Sequence, residues 1–175
     1  MGTGKHGITP LAAVVGGLVA GTVGTACLDA VNYVKYRRTG GKDNPLAWEF
    51  PQVDSWDHAP APGQVGKRLI EGFTQRELPD RWAGPVSTVM HWSYGSGWGA
   101  LYGVLAGSLR RPNPLYGLPL GAVVWAGDYV LLPVGGLYKP IWEYDAKTLA
   151  GDLSAHLGYG AGTGTAFWLI TRIWR

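Results

Sequence analysis

Long uncharged apolar stretches alternate with a single polar block along this chain, and that alternation predicts its elements. Residues 8–30 carry one charged side chain, Asp29, and at 1.5 Å per residue they reach about 34 Å, enough to cross a hydrocarbon core of about 30 Å. Residues 86–109 contain no Asp, Glu, Lys or Arg and are stopped by Arg110-Arg111 and Pro112-Asn113-Pro114. Residues 115–138 form a third apolar run with Asp128 inside it, and Pro133 followed by Gly135-Gly136 predicts a kink or early unwinding near its end. Residues 149–173 form the fourth. Between the first two runs, residues 39–84 are polar and proline-rich, with Gly40-Gly41, Asn44-Pro45 and Ala59-Pro60-Ala61-Pro62 as turn or extended signals. Within that block Val65, Leu69 and Phe73 recur four apart among Lys67, Arg68, Glu71 and Arg76, the pattern of a short amphipathic helix lying on a membrane surface. The short connections at 110–114 and 139–148 make consecutive runs antiparallel neighbours. The expected fold is all-α: one domain over residues 1–175, an integral membrane four-helix up-down bundle with an interfacial helix in its long first loop.

A nine-residue pattern occurs twice. Residues 91–99 and 156–164 both spell H-x-x-Y-G-x-G-x-G, and each opens an uncharged apolar run. Helix neighbours on one face lie four apart, so His91, Gly95, Gly99, Gly103 and Gly107 stack on one stripe, and so do Asp152, His156, Gly160 and Gly164. Each glycine in a water-exposed helix would cost about 1 kcal/mol against alanine, whereas small-xxx-small faces let helices pack closely in lipid. The duplication predicts two helical hairpins of the same topology, related by a pseudo-twofold along the membrane normal.

Composition strengthens the membrane reading. The chain has 28 Gly and 9 Trp with only 15% charged residues, far from an average soluble chain with about 7% Gly. Mean hydropathy is +0.01 because most of the charge sits between Lys35 and Arg81. The net charge of +3 and isoelectric point near 9.0 come without a basic stripe or a nucleic-acid motif, so anionic lipid headgroups are the simpler partner. The lone Cys27 rules out an internal disulfide and a Cys-rich metal site. The N-terminal apolar run is longer than a signal-peptide core and reads as a retained helix. Lys35, Arg37, Arg38, Lys42, Arg76, Arg81, Lys139 and Lys147 fall on one side, against Lys5, Arg110, Arg111, Arg172 and Arg175 on the other, which points both termini outward by the positive-inside rule.

Threaded up and down, the four runs bring Asp29, His91, Asp128, Asp152 and His156 into one half of the membrane, with Tyr94, Tyr159 and Asn32 in reach. Ionisable groups at such depth cost several kcal/mol unless they pair or face a cavity, so they are expected to converge inside the bundle. Three uses stay open: a satisfied polar core, a proton or ion path in which His titrates near neutrality, and a cofactor site. For the last, His91 and His156 at matched depth could hold a b-type haem axially, or a divalent metal together with Asp128 or Asp152. No G-x-S-x-G elbow, phosphate loop, strand-led dinucleotide fingerprint or H-E-x-x-H spacing is present. His58 with Asp54 and Asp57, on the proline-rich loop, reads as a solvated group. The expectation is a non-enzymatic accessory, assembly or channel-like membrane component, alone or as a homo-oligomer or part of a larger complex, with haem- or metal-based electron transfer as the alternative.

From His91 to about Ile170 the chain also carries a spaced pattern. A His opens one run and Tyr102 follows it; Gly117 and Gly121 start the next, with Pro133, Gly136 and Pro140 near its end, and an acidic residue precedes His156-Leu157. This pattern resembles the YagU-like family of small bacterial inner-membrane proteins, over less than half of the chain. The resemblance implies a polytopic protein of the bacterial inner membrane and no enzymatic activity.

Overall fold

The computed structural model describes residues 8–109 and 112–173, and among these all regular structure is helical, with no strand. Six α-helices follow in order: α1 (Pro10–Arg38), α2 (Pro45–Glu49), α3 (Ala61–Thr74), α4 (Ala83–Gly107), α5 (Gly117–Val134) and α6 (Ala146–Ile173), joined by short 3-10 turns. Lys5, Arg110, Arg111 and Arg175, expected as sidedness markers, lie outside the described residues.

Local chemistry explains the helix limits. Thr9 caps α1 by accepting from the Ala12 N–H at 3.2 Å, Pro10 takes the first turn, and Lys35, Arg37 and Arg38 face the negative end of the helix dipole. The apolar run ends at Ala30, yet nothing in Val31–Arg38 breaks a helix, so α1 continues until Gly40 turns the chain at a φ of +96°. At the other extreme, α5 stops at Val134, directly after Pro133, and Gly136 takes a φ of +67°, so the third run unwinds short of residue 138. The Asp145 carboxylate accepts from both the backbone and the hydroxyl of Thr148 and starts α6 three residues early. Of the long helices, Pro10–Arg38 and Pro114–Val134 are long and apolar enough to cross a membrane. At 25 and 28 residues, α4 and α6 have the length, but their Gly, Ser, Thr, Tyr and His content dilutes the apolarity that four spans called for.

Glycines set the packing. Along α1 and α4, Gly17 faces Gly103 and Gly21 faces Gly99. A Cβ at Gly21 would lie 2.8 Å from the Gly99 Cα, closer than real Cβ atoms come. Along α5 and α6, Gly117 faces Gly164 and Gly121 faces Gly160, equally tightly. The two hairpins join through α1 and α6, where Gly24 meets Tyr159 and Thr163 and where Ala20, Tyr102, Ala106 and Phe167 form the core. The rings of Tyr102 and Phe167 meet edge to face at 5.7 Å. An exact twofold would close α4 on α5 in the same way, but these two helices scarcely touch. Helix α3 packs Gly63 and Gly66 against Ser87, Val86 and Met90 of α4 and leaves Phe73 88% exposed. It is braced from below by Trp56, which is buried, donates its indole N–H to the Leu78 carbonyl at 2.7 Å and lies under the Lys67 ammonium.

Candidate functional site

The glycine ladder between α1 and α4 decides what faces His91. Below the Gly21/Gly99 step, Thr25 faces Gly95, and one turn further Asp29 faces His91. The His91 Nε2–H donates to Asp29 at 3.0 Å from both carboxylate oxygens. Glu49 joins them from the end of α2: one donor atom each from Asp29, Glu49 and His91 lie within 4.8 Å of one another. The indole N–H of Trp92 donates to Glu49 Oε1 at 3.1 Å. Burial and then the neighbouring Asp29 charge hold the Glu49 carboxyl above the ordinary carboxylate range, with His91 and the Trp92 N–H pulling the other way.

Between α5 and α6 the ladder runs Gly117/Gly164 and Gly121/Gly160, and the residue four after Gly121 on this stripe is Trp125, not an acid. His156 reaches obliquely instead: Nε2 lies 3.3 Å from Asp128 Oδ2, and the Nδ1–H donates to the Asp152 carbonyl at 3.0 Å. A carbonyl oxygen only accepts, so Nδ1 carries the hydrogen of that contact, while Nε2 faces a carboxylate oxygen. The Tyr94 hydroxyl crosses from α4 to donate to Asp128 Oδ1 at 2.7 Å. The Tyr159 hydroxyl crosses the other way, from α6 to the Gly95 carbonyl, at 2.6 Å.

Where α4 and α5 stand apart, a cavity of about 500 Å³ opens. His91, Tyr94, Asp128, Asp152, His156 and Tyr159 all line it, against apolar walls that include Leu28, Val65, Met90 and Leu132. Asp29 lies behind His91, outside the lining. The motif imidazoles share no carboxylate: His91 pairs with Asp29, and His156 with Asp128 and, at 3.7 Å, with Asp152. The packing glycines Gly95, Gly99, Gly103 and Gly107 face Thr25, Gly21, Gly17 and Ala13 of α1 and, just before that helix, Ile8, while Gly160 and Gly164 face the start of α5. The loop pair His58 and Asp54 is 76% and 86% exposed and lines neither the cavity nor the His91 cluster.

Sequence reasoning missed Glu49. Its position depends on a clamp that has no periodicity: Tyr33 donates to the Asp43 carbonyl at 3.1 Å, Tyr36 to the Asp43 carboxylate, and Asn44 caps α2. The rings of Tyr33 and Trp48 close over this turn at 5.5 Å. The one available signal was Asn44-Pro45, a helix cap and first turn that also reads as a plain turn. Arg68, which donates to the Gly135 carbonyl and ties α3 to the end of α5 at the cavity mouth, was missed as well.

Against family profiles, curated proteins and solved structures the chain has no match.

Proposed function

We propose that the chain is a multi-pass membrane protein in which α1, α4, α5 and α6 form a four-helix up-down bundle with α3 at the surface, and that it acts without enzymatic chemistry as an accessory component holding a proton at its second motif histidine. Large apolar side chains on the outside of the long helices, among them Leu11 at 73%, Leu105 at 72% and Ile173 at 81% exposed, support contact with lipid. So do the half-buried aromatic groups Tyr33, Tyr36 and Trp48, and Tyr138 and Tyr144, at the loop end. The YagU-like resemblance belongs to this reading, and so does the bacterial inner membrane as its location.

The observation that carries the proton reading is the arrangement of His156, with an acceptor oxygen at each ring nitrogen, the Asp152 carbonyl at Nδ1 and the Asp128 carboxylate at Nε2. The titratable and charged groups around the same cavity are Asp128, Asp152, Tyr94, Tyr138, Tyr159, His91 and Arg68, with Tyr129 beside Asp152 and Lys35 donating to the Gly151 carbonyl. Residues 8–28, 92–109, 112–127 and 157–171 contain no Asp, Glu, Lys, Arg or His, so no ladder of such groups continues through the other half of the bundle. That favours a proton held and sensed from one side over a proton conducted across. Solid-state ¹⁵N NMR of histidine-labelled protein in bilayers tests it. Between about pH 4 and about pH 9 one titration step is expected at His156, displaced in Asp128→Asn and in Tyr94→Phe. A His156 signal that stays constant over that range, or that is untouched by Asp128→Asn, sinks the reading.

A further inference from the structure

We infer that Asp29, Glu49 and His91 form a binding site for a divalent first-row transition ion, which meets the cavity of the His156 network only through His91. The three ligands come from α1, α2 and α4, and their donor atoms already stand within 4.8 Å of one another. His91 Nε2 sits 3.0 Å from both Asp29 oxygens, a spacing of the order found between neighbouring ligands of one ion with bonds of about 2.0–2.2 Å. Two carboxylates meet one imidazole, and among the described residues no lysine or arginine pairs with either acid. With the imidazole neutral the set carries two negative charges, matching a divalent ion. An imidazole among carboxylates selects ions such as Zn²⁺ or Mn²⁺ over Ca²⁺ and Mg²⁺, which prefer oxygen alone.

The surroundings fit a ligand set more than an incidental cluster. The Trp92 indole N–H holds one Glu49 oxygen at 3.1 Å, the kind of outer contact that orients a ligating carboxylate. Helix α2 cannot drift, because Tyr33, Tyr36 and Arg37 hold the backbone and carboxylate around Asp43 immediately before its cap. Glu49 is thereby presented to His91 by a fixed turn. Asp29 is only 12% exposed, whereas His91 at 32% leaves a way in from solvent.

The test uses the full chain in detergent, stripped with chelator and titrated calorimetrically with ZnCl₂, with CoCl₂ absorption as an independent report of imidazole ligation. One ion per chain is expected. Glu49→Gln and His91→Ala should each weaken binding by well over tenfold, and Trp92→Phe, which removes only the outer contact, by about tenfold. Asp54→Asn, in the exposed His58 pair, should change nothing. Circular dichroism and elution volume confirm folding of each variant, and Trp92→Phe keeps the test decisive if Glu49→Gln fails to fold. Absence of saturable binding, or unchanged affinity in folded Glu49→Gln and His91→Ala proteins, overturns the site. The His156 titration is a different measurement, and either result can fail alone.

Discussion

The two copies of H-x-x-Y-G-x-G-x-G pack one helical turn out of step. In the α1/α4 hairpin the glycine-to-glycine crossing lies at Gly99 and Gly103, two turns beyond His91, and the first motif glycine, Gly95, meets Thr25. In the α5/α6 hairpin the crossing begins at Gly160, a single turn beyond His156. The partner helices cause the difference. Asp29 lies eight residues after Gly21, on the same four-residue ladder, whereas Asp128 lies seven after Gly121 and falls off it. His91 therefore meets its aspartate head on, with room for Glu49, while His156 reaches sideways and shares its aspartate with Tyr94. A repeated motif specifies a helix with a groove; the depth at which the groove engages belongs to whatever helix fills it. Both motif tyrosines keep one common habit, donating across to the opposite hairpin.

The strongest way to break this comparison is to fill the two crossings. Gly99→Leu and Gly160→Leu should each destabilise by about 3 kcal/mol, the top of the usual overpacking range, because the added side chain meets helix backbone that cannot rotate away. Thermal unfolding in detergent measures it, and a severe Gly99→Leu beside a neutral Gly160→Leu would show that only one crossing is real. Next come the equivalent glycines Gly97 and Gly162. Nothing lies near a Cβ at Gly97, but one at Gly162 would sit 2.6 Å from the Cys27 sulfur. Gly97→Ala should stabilise by up to about 1 kcal/mol and Gly162→Ala destabilise by about 2 kcal/mol; changes of equal sign would refute the close approach of α6 to α1 at Gly162 that the first copy of the motif lacks at Gly97. Tyr94→Phe and Tyr159→Phe each delete one hydrogen bond and should cost about 1 kcal/mol, with the unfolding midpoint as readout.

The smallest effect concerns Glu49 in the metal-free protein. Its carboxyl is held above the ordinary range, so between the unfolded and folded values the native state binds more protons and stability falls as pH rises. Glu49→Gln should therefore match wild type below about pH 4 and exceed it near neutrality. A variant no more stable than wild type at pH 7 would contradict the crowding of Glu49 by Asp29.

The long helices were legible because apolar runs end at recognisable breakers, Gly40-Gly41 and Pro112-Asn113-Pro114 among them. Their limits were less so. Helix α1 extends to Arg38 because a helix needs only the absence of a breaker, not continued apolarity. Depth arguments were enough to gather Asp128, Asp152 and His156 at one level, since up-down threading relates sequence position to height. Which acid faces which histidine was not legible, because it turns on glycine register across two helices. Glu49 was hidden for another reason: its place is set by the Tyr36–Asp43 contact, far from any periodic pattern.

The single closed seam between α1 and α6 also orders how the molecule comes apart. Helix α5 leans chiefly on α6, and α4 chiefly on α1 with α3 at its flank, so the two outer staves hang from a common spine. Opening should start where α5 ends, at the Arg68–Gly135 latch, and travel along α5 while the spine stays whole. Amide exchange would record that sequence as early loss of protection in Val130–Val134 and latest loss around Ala20 and Phe167.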